Sequence, residues 1–170
     1  MTYTATLTSP LGPLLLAAEG EAVTGLWLDG QKYYAAGLPE QIREDPSHPL
    51  LRTAGEWLDR YFAGERPDPF LLPLSPRGSG FQKLIWSLLR EIPWGETVTY
   101  GALALRAEAG LGRRTSARAV GSAVGRNPIS ILIPCHRVLG TDGRLTGYAG
   151  GLGRKEWLLR HEGAIDVGSR

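Results

Sequence analysis

The pattern of apolar and polar positions in the first part of the chain is that of β-strands parted by turns. Tyr3–Ser9 alternates and is rich in Thr, Pro10-Leu11-Gly12-Pro13 is turn chemistry, and Leu14–Ala18 and Val23–Leu28 read as two further strands parted by Glu19-Gly20-Glu21. The pattern predicts a small antiparallel meander. Over 47–63 the period lengthens: Leu50, Leu51, Ala54, Leu58, Tyr61 and Phe62 fall on one stripe with Trp57 beside it, so a helix is predicted, with Ser47 as its cap and Gly64 as its stop. Pro67, Pro69, Pro73 and Pro76 then exclude a helix between Gly64 and Gly80. This stretch is predicted to be an extended connector, held to the body by its apolar run Phe70-Leu71-Leu72.

From Ser79 the helical period dominates. Ser79-Gly80-Phe81-Gln82 fits a capping box, and Phe81, Leu84, Ile85, Leu88, Leu89 and Ile92 form the stripe behind it. Pro93-Trp94-Gly95-Glu96 turns the chain. A second helix is predicted over Tyr100–Ala109 behind Thr99, broken by Gly110-Leu111-Gly112, and a third from Thr115 or Ser116 to about Gly125. After Asn127-Pro128 the apolar, β-branched run Ile131-Leu132-Ile133 reads as a buried strand ending at Pro134. Asp142-Gly143 marks a turn, Gly147–Gly153 a Gly-rich loop, and a last helix runs to about Glu162 with Gly163 as its stop. The expected fold is α+β in two small domains: an antiparallel sheet with a helix over residues 1–75, a linker at about 64–79, and a mostly helical domain over 80–170 containing a helix-turn-helix and a short strand.

Charge sharpens this division. The formal net charge is only +2, but residues 1–75 carry five basic and ten acidic side chains, which leaves fourteen basic and seven acidic for the remainder. The second part is therefore the one expected to meet an anionic partner. No apolar run is long enough to span a bilayer and no basic-then-apolar leader opens the chain, so neither membrane nor secretion is expected. A single cysteine forbids an internal disulfide and fits a reducing, cytoplasmic setting.

That cysteine, Cys135, lies between Pro134 and His136-Arg137. Cationic neighbours favour the thiolate, which is the nucleophilic form. A free cysteine is also among the most buried residue types, and the thiol by itself reads equally as packing. The helix predicted from Thr115 has two faces. Ala117, Val120, Gly121 and Val124 are expected to turn inward, while Arg118, Ser122 and Gly125 lie outward, with Arg114 just ahead. A bare outer face can approach a nucleic-acid backbone closely, and Arg113, Arg114, Arg118 and Arg126 supply charge, although small-residue faces more often pack against protein.

Several motifs in order resemble the O6-alkylguanine-DNA alkyltransferases: Trp94-Gly95-Glu96-Thr97-Val98-Thr99-Tyr100-Gly101, Ser116-Ala117-Arg118-Ala119-Val120-Gly121, Asn127-Pro128, Ile131–Val138, Tyr148-Ala149-Gly150-Gly151, Lys155-Glu156-Trp157-Leu158-Leu159 and His161-Glu162-Gly163. The resemblance covers essentially all of 80–164. It is looser before 75, where Ser9-Pro10-Leu11-Gly12-Pro13 and its strands carry it.

The resemblance implies single-use repair of double-stranded DNA carrying O6-alkylguanine or O4-alkylthymine. The second helix enters the minor groove, the damaged base is flipped, and its alkyl group moves irreversibly to Cys135. His136 would draw off the thiol proton through water, Glu162 would orient the imidazole, Asn127 would fix the network, and Tyr100 would assist departure of the guanine oxygen. Arg118 would fill the space of the flipped base, with Ser116, Ala117, Gly121, Ser122 and Arg114 along the DNA. Tyr148, Ala149, Gly150, Val138, Pro134 and Lys155 would form the base pocket. The resemblance further implies a monomer that needs no cofactor. Three departures stand out. The Glu108–Arg114 loop is a few residues longer and more basic than usual. Ala149 replaces a Ser found in some members. Only His48 and His161 remain besides His136, with no second cysteine, so the zinc site of some relatives is not expected. A lesion-binding protein without transfer activity and a Cys–His hydrolase or transferase are the competing expectations.

Overall fold

The computed structural model describes residues 1–165 and separates into two compact units, 1–77 with 128–132, and 78–127 with 133 onward. The stretch 128–132, contiguous in sequence with the Asn127 and Cys135 motifs, thus belongs to the first unit.

In the first unit, β1 (Thr2–Leu7), β2 (Leu14–Glu19) and β3 (Ala22–Leu28) form the expected antiparallel meander. A strand absent from the sequence pattern, β4 (Ile42–Glu44), adds in parallel to β1, giving the order β3-β2-β1-β4. All three of its side chains are exposed, so it has no alternation to detect. Helix α1 (Pro49–Phe62) covers the sheet with Leu51, Ala54, Leu58 and Tyr61. Its cap is His48, whose Nδ1 accepts from the Leu50 amide at 3.2 Å, not Ser47, whose hydroxyl is bonded to Asp45. The connector is held as expected, but by different groups. Leu72 is buried while Phe70 and Leu71 are 62% and 63% exposed, and Trp57 Nε1 donates to the Asp68 carbonyl at 2.8 Å.

The outer edge of β3 is closed twice, by Val23 pairing with the connector at Pro73 and Ser75 and by Leu26 pairing with Pro128 and Ser130. Ile131 follows with φ +69° while the Leu132 amide bonds back to the Ser130 carbonyl at 2.8 Å. Positive φ at a β-branched residue is a strained conformation. The predicted strand over Ile131–Ile133 is therefore absent. Its apolar residues are buried in consecutive tight turns, and burial without alternation is what made the run look like a strand.

In the second unit, the Ser79/Gln82 capping box opens α2 (Gly80–Leu89) with both reciprocal bonds present. A two-residue strand β5 (Val98–Thr99) leads into α3 (Tyr100–Leu111). This helix continues past the expected break at Gly110 and ends at Gly112, which adopts a left-handed conformation. Helix α4 (Ala117–Gly125) packs through Val120, Ala123 and Val124, and Trp86 Nε1 donates to the Ala123 carbonyl at 2.8 Å. Strand β6 (Val138–Leu139) pairs in parallel with β5, and α5 (Leu152–His161) closes the unit. Both strands are too short for periodicity to reveal. Among the described residues no helix is long and apolar enough to cross a membrane, and no group of His, Cys, Asp and Glu is placed to hold a metal ion.

Candidate active site

Two turns aim the cysteine. Pro134 has φ −80° and ψ 65°, and the Cys135 amide bonds the Ile133 carbonyl across it at 2.8 Å, an inverse γ-turn. The same carbonyl accepts from Asn127 Nδ2 at 2.8 Å, and the Asn127 side chain also hydrogen-bonds the thiol. Asn127 thus ties the end of α4 to the turn that carries the sulfur. Cys135–Arg137 form one turn of 3-10 helix that passes directly into β6.

The electrostatics differ from the sequence-based expectation. Cys135 is 5% exposed, and burial pushes its thiol up, opposed by the Asn127 hydrogen bond and the Lys155 charge. Arg137 does not serve the sulfur. Its Nε and Nη2 reach the two oxygens of Glu162 at 2.7 and 3.0 Å. His136 is completely buried, and its Nε2 meets Glu162 Oε2 at 2.7 Å. Burial pushes the imidazole down, and the charges of Arg137 and Lys155 add to this against the pull of Glu162. Burial opposes the Glu162 charge, but His136 and Arg137 outweigh it and hold the carboxyl well below the usual carboxylate range. The resting state is therefore a thiol, a neutral imidazole and a carboxylate. An ionised carboxylate only accepts, so Nε2 carries the imidazole hydrogen and the lone pair is on Nδ1. That Nδ1 is buried and has no hydrogen-bond partner among the described residues.

Lys155 is the second buried cation. From the first turns of α5 its ammonium donates to the carbonyls of Val138 at 2.5 Å, Thr146 at 2.7 Å and Gly147 at 3.3 Å. Burial lowers it from its ordinary 10.5 to about 8, partly offset by Cys135. Tyr100, at the start of α3, lies 5.9 Å from this ammonium, and its hydroxyl donates to the carbonyls of Thr146 and Gly147 at 3.4 Å each. Burial and the cysteine push the phenol up, so it keeps its proton. The loop these groups hold continues into Tyr148, Ala149 and Gly150, all half-buried, with the Gly151 amide closing a turn onto the Tyr148 carbonyl at 2.9 Å. Val138 and Pro134 are buried beside Cys135 in sequence.

On α4 the expected faces need correction. Ala117 is exposed and Gly121 half-buried, while Ala123 takes the inward place given to Ala117. Counting three and four back from Val120 put Ala117 on the core side, but at the first helical position nothing covers it. Ser116 caps the helix through the Ala119 amide at 3.0 Å, and Arg118 and Ser122 are exposed. A Cβ added at Gly121 would sit 3.7 Å from the Tyr100 ring, so this point of α4 faces the phenol with just the room of a methyl group between them. The turn ahead of α4 is pinned by the Thr115 amide on Glu108 Oε1 at 3.2 Å, leaving Arg113 and Arg114 exposed.

Sequence reasoning gave Arg137 to the thiol and missed its place on Glu162. It also missed the Ile92 carbonyl, which accepts from Arg137 Nη1 at 2.5 Å. No local pattern marks a backbone acceptor 45 residues away.

The chain matches two family models, the 6-O-methylguanine DNA methyltransferase DNA binding domain over residues 80–164 and the 6-O-methylguanine DNA methyltransferase ribonuclease-like domain over residues 2–76. A methylated-DNA–protein-cysteine methyltransferase of Methanosarcina acetivorans is 44% identical over 163 residues, 95% of this chain and 99% of the relative. One of Haemophilus influenzae is 45% identical over 154 residues, 91% and 82%. A crystal structure of Mycobacterium tuberculosis OGT in complex with DNA superposes with a TM-score of 0.83 at 41% identity, covering 95% of this chain and 93% of that one.

Proposed function

The chain belongs to the 6-O-methylguanine DNA methyltransferase family and is a DNA-repair alkyltransferase with a DNA-binding domain, and on that premise we propose that Cys135 is the acceptor and that the reaction runs once per molecule. The substrate is duplex DNA carrying O6-alkylguanine or O4-alkylthymine. Helix α4 enters the minor groove through Ala117, Gly121 and Ser122, with Ser116 and Arg114 on the backbone. Arg118 occupies the gap left when the damaged base rotates out, which offsets part of a flipping cost of a few kcal/mol. The base is received by Tyr148, Ala149, Gly150, Val138 and Pro134, on the loop that Lys155 holds together.

His136 Nδ1 takes the thiol proton. Sulfur then attacks the alkyl carbon, the S–C bond forming as the C–O bond breaks, and the bond pair returns to the base oxygen. Tyr100 donates toward that oxygen as its charge develops. The base is reprotonated to ordinary guanine, which balances the proton lost by the thiol. Glu162 stabilises the imidazolium, Asn127 holds the turn, and the thioether is not reversed. The chain acts as a monomer without metal or cofactor, and its lone thiol suits a cytoplasmic location.

One observation carries this mechanism: next in the chain to the only cysteine, a buried imidazole donates to a carboxylate on one side and offers a bare, buried nitrogen on the other. Intact-protein mass spectrometry after incubation with a duplex containing O6-methylguanine tests it. One methyl group per molecule on the Cys135 peptide is expected, and none in Cys135→Ser. Continued turnover, or active protein without an adduct, refutes it.

A further inference from the structure

Glu162 serves two partners at once. Its Oε2 meets His136 Nε2 at 2.7 Å and Arg137 Nη2 at 3.0 Å, while Oε1 takes Arg137 Nε at 2.7 Å. Arg137 is 7% exposed, and its guanidinium is further fixed by the Ile92 carbonyl at 2.5 Å. The mechanism above uses His136 and Glu162 but gives this buried cation no task. We propose that Arg137 is a positioning residue that keeps His136 a free base: by gripping both oxygens of Glu162 it compensates the carboxylate and leaves the imidazole neutral, with Nδ1 open to the thiol proton.

The argument is one of charge balance in a buried space. A carboxylate buried with an imidazole as its sole partner would be an uncompensated charge, and the cheapest remedy is a proton on the imidazole. A histidine protonated in this way has no lone pair for the thiol. With the guanidinium in place the carboxylate is already balanced, and a proton on His136 would add a second buried cation beside the first. The charged groups that act on His136 are Glu162 at the end of α5, Lys155 from the same helix and Arg137 from its own turn. Glu162 alone favours the imidazolium; Arg137 and Lys155 oppose it, as does burial. The two-point grip matters because it turns the carboxylate so that Oε2 remains in line with Nε2. When the thiol proton does arrive, the same carboxylate is in position to steady the cation.

This inference rests on Cys135 as acceptor and His136 as its base. Its test therefore has one readout independent of transfer: the ring nitrogens of His136 in the full ¹⁵N-labelled chain, followed by NMR from pH 5 to 8, alongside single-turnover methyl transfer from a duplex with one O6-methylguanine. The native chain is expected to show a neutral, Nε2-protonated ring at pH 7. In Arg137→Gln the titration is expected to move upward by about one pH unit or more, and the acid limb of the rate profile to move with it. A native His136 already protonated at pH 7, or a folded Arg137→Gln chain that titrates like the native one, overturns the proposal. Should the Gln variant fail to fold, Arg137→Lys decides: keeping the charge but losing the grip, it is expected to leave the acid limb in place and lower the plateau rate at least several-fold, and an unchanged plateau overturns it. Absence of transfer in the native chain with a normal His136 titration would sink the acceptor assignment and leave Arg137's role standing.

Discussion

Replacing Lys155 by Met isolates the energetics of the buried ammonium that bonds the Val138, Thr146 and Gly147 carbonyls. Met conserves most of the length and removes the charge. Two effects separate by pH. The first does not depend on pH. The Val138 carbonyl is buried and loses its donor, at a cost of about 1–3 kcal/mol, whereas Thr146 and Gly147 are exposed and their carbonyls pass to water. The second does. The lysine titrates at about 8 in the folded chain against an ordinary 10.5, so burying the ammonium works against folding. Below pH 8 both states carry the proton and the penalty is complete. Between 8 and 10.5 the unfolded chain holds a proton that the folded chain has released, so stability rises with pH. Above 10.5 the penalty has gone. That gap corresponds to about 3 kcal/mol. Urea unfolding of both chains between pH 7 and 10.5 reads it, because tyrosines and other lysines cancel in the difference. The native chain is expected to gain about 3 kcal/mol on Lys155→Met across that range. Parallel stability curves would refute the electrostatic account of this residue.

Three further outcomes follow from the same geometry. Iodoacetamide is expected to label Cys135 more slowly than free cysteine at pH 7 and to accelerate only as the pH climbs beyond 8.5, and rapid labelling at pH 7 would contradict a resting thiol. Glu162→Gln leaves Arg137 buried without its counter-charge and is expected to cost about 3–5 kcal/mol in urea unfolding at pH 7. The Glu162 carboxyl is depressed in the folded chain, so this difference should hold from pH 5 to 8 and shrink only as the pH falls below the ordinary carboxylate range. Replacing Arg113 and Arg114 together by Ala should change stability little, since both are exposed and have no acidic partner among the described residues, but should flatten the salt dependence of binding to undamaged duplex by about 0.9 per lost phosphate contact. An unchanged slope would remove that turn from the DNA interface.

What the sequence disclosed depends on how far apart the causes lie. Ser79 and Gln82 announce α2 because a capping box is a contact over three residues, and Thr99 and Ser116 announce α3 and α4 in the same way. The β1–β3 meander was legible because Tyr3–Ser9 alternates and the two apolar runs after it are bounded by the turn residues Pro10–Pro13 and Glu19-Gly20-Glu21. Strands β4, β5 and β6 were not, since two or three residues hold no period and their pairing partners are remote. Cys135, His136, Glu162, Asn127 and Arg118 were singled out from motifs whose order along the chain is specific. What those motifs did not show is direction. Arg137 adjoins the cysteine in sequence yet turns toward Glu162, and the β-branched run before Pro134 supplies turns, not a strand. Adjacency along a chain limits which groups can meet, but the 3-10 turn at Cys135–Arg137 decides which of them do.

A nucleophile stored as a buried thiol has to be switched on by what it attacks. At rest the Cys135–His136 pair is neutral, and moving the proton between them would create two charges in a buried space. Lys155 and Glu162 each steady one of those charges, Lys155 the thiolate and Glu162 the imidazolium, but neither is enough to form the ion pair unprompted, because burial still dominates at both groups. The alkylated base supplies what is missing. In the proposed mechanism, as sulfur approaches the alkyl carbon its negative charge passes onto the departing oxygen, toward the Tyr100 hydroxyl, whose proton burial has preserved. Ionisation and attack are then one event, and charge separation is never complete without a substrate. Such a site suits a reaction used once. It protects an irreplaceable sulfur from oxidants and stray electrophiles, and it commits that sulfur only when a flipped base lies against it.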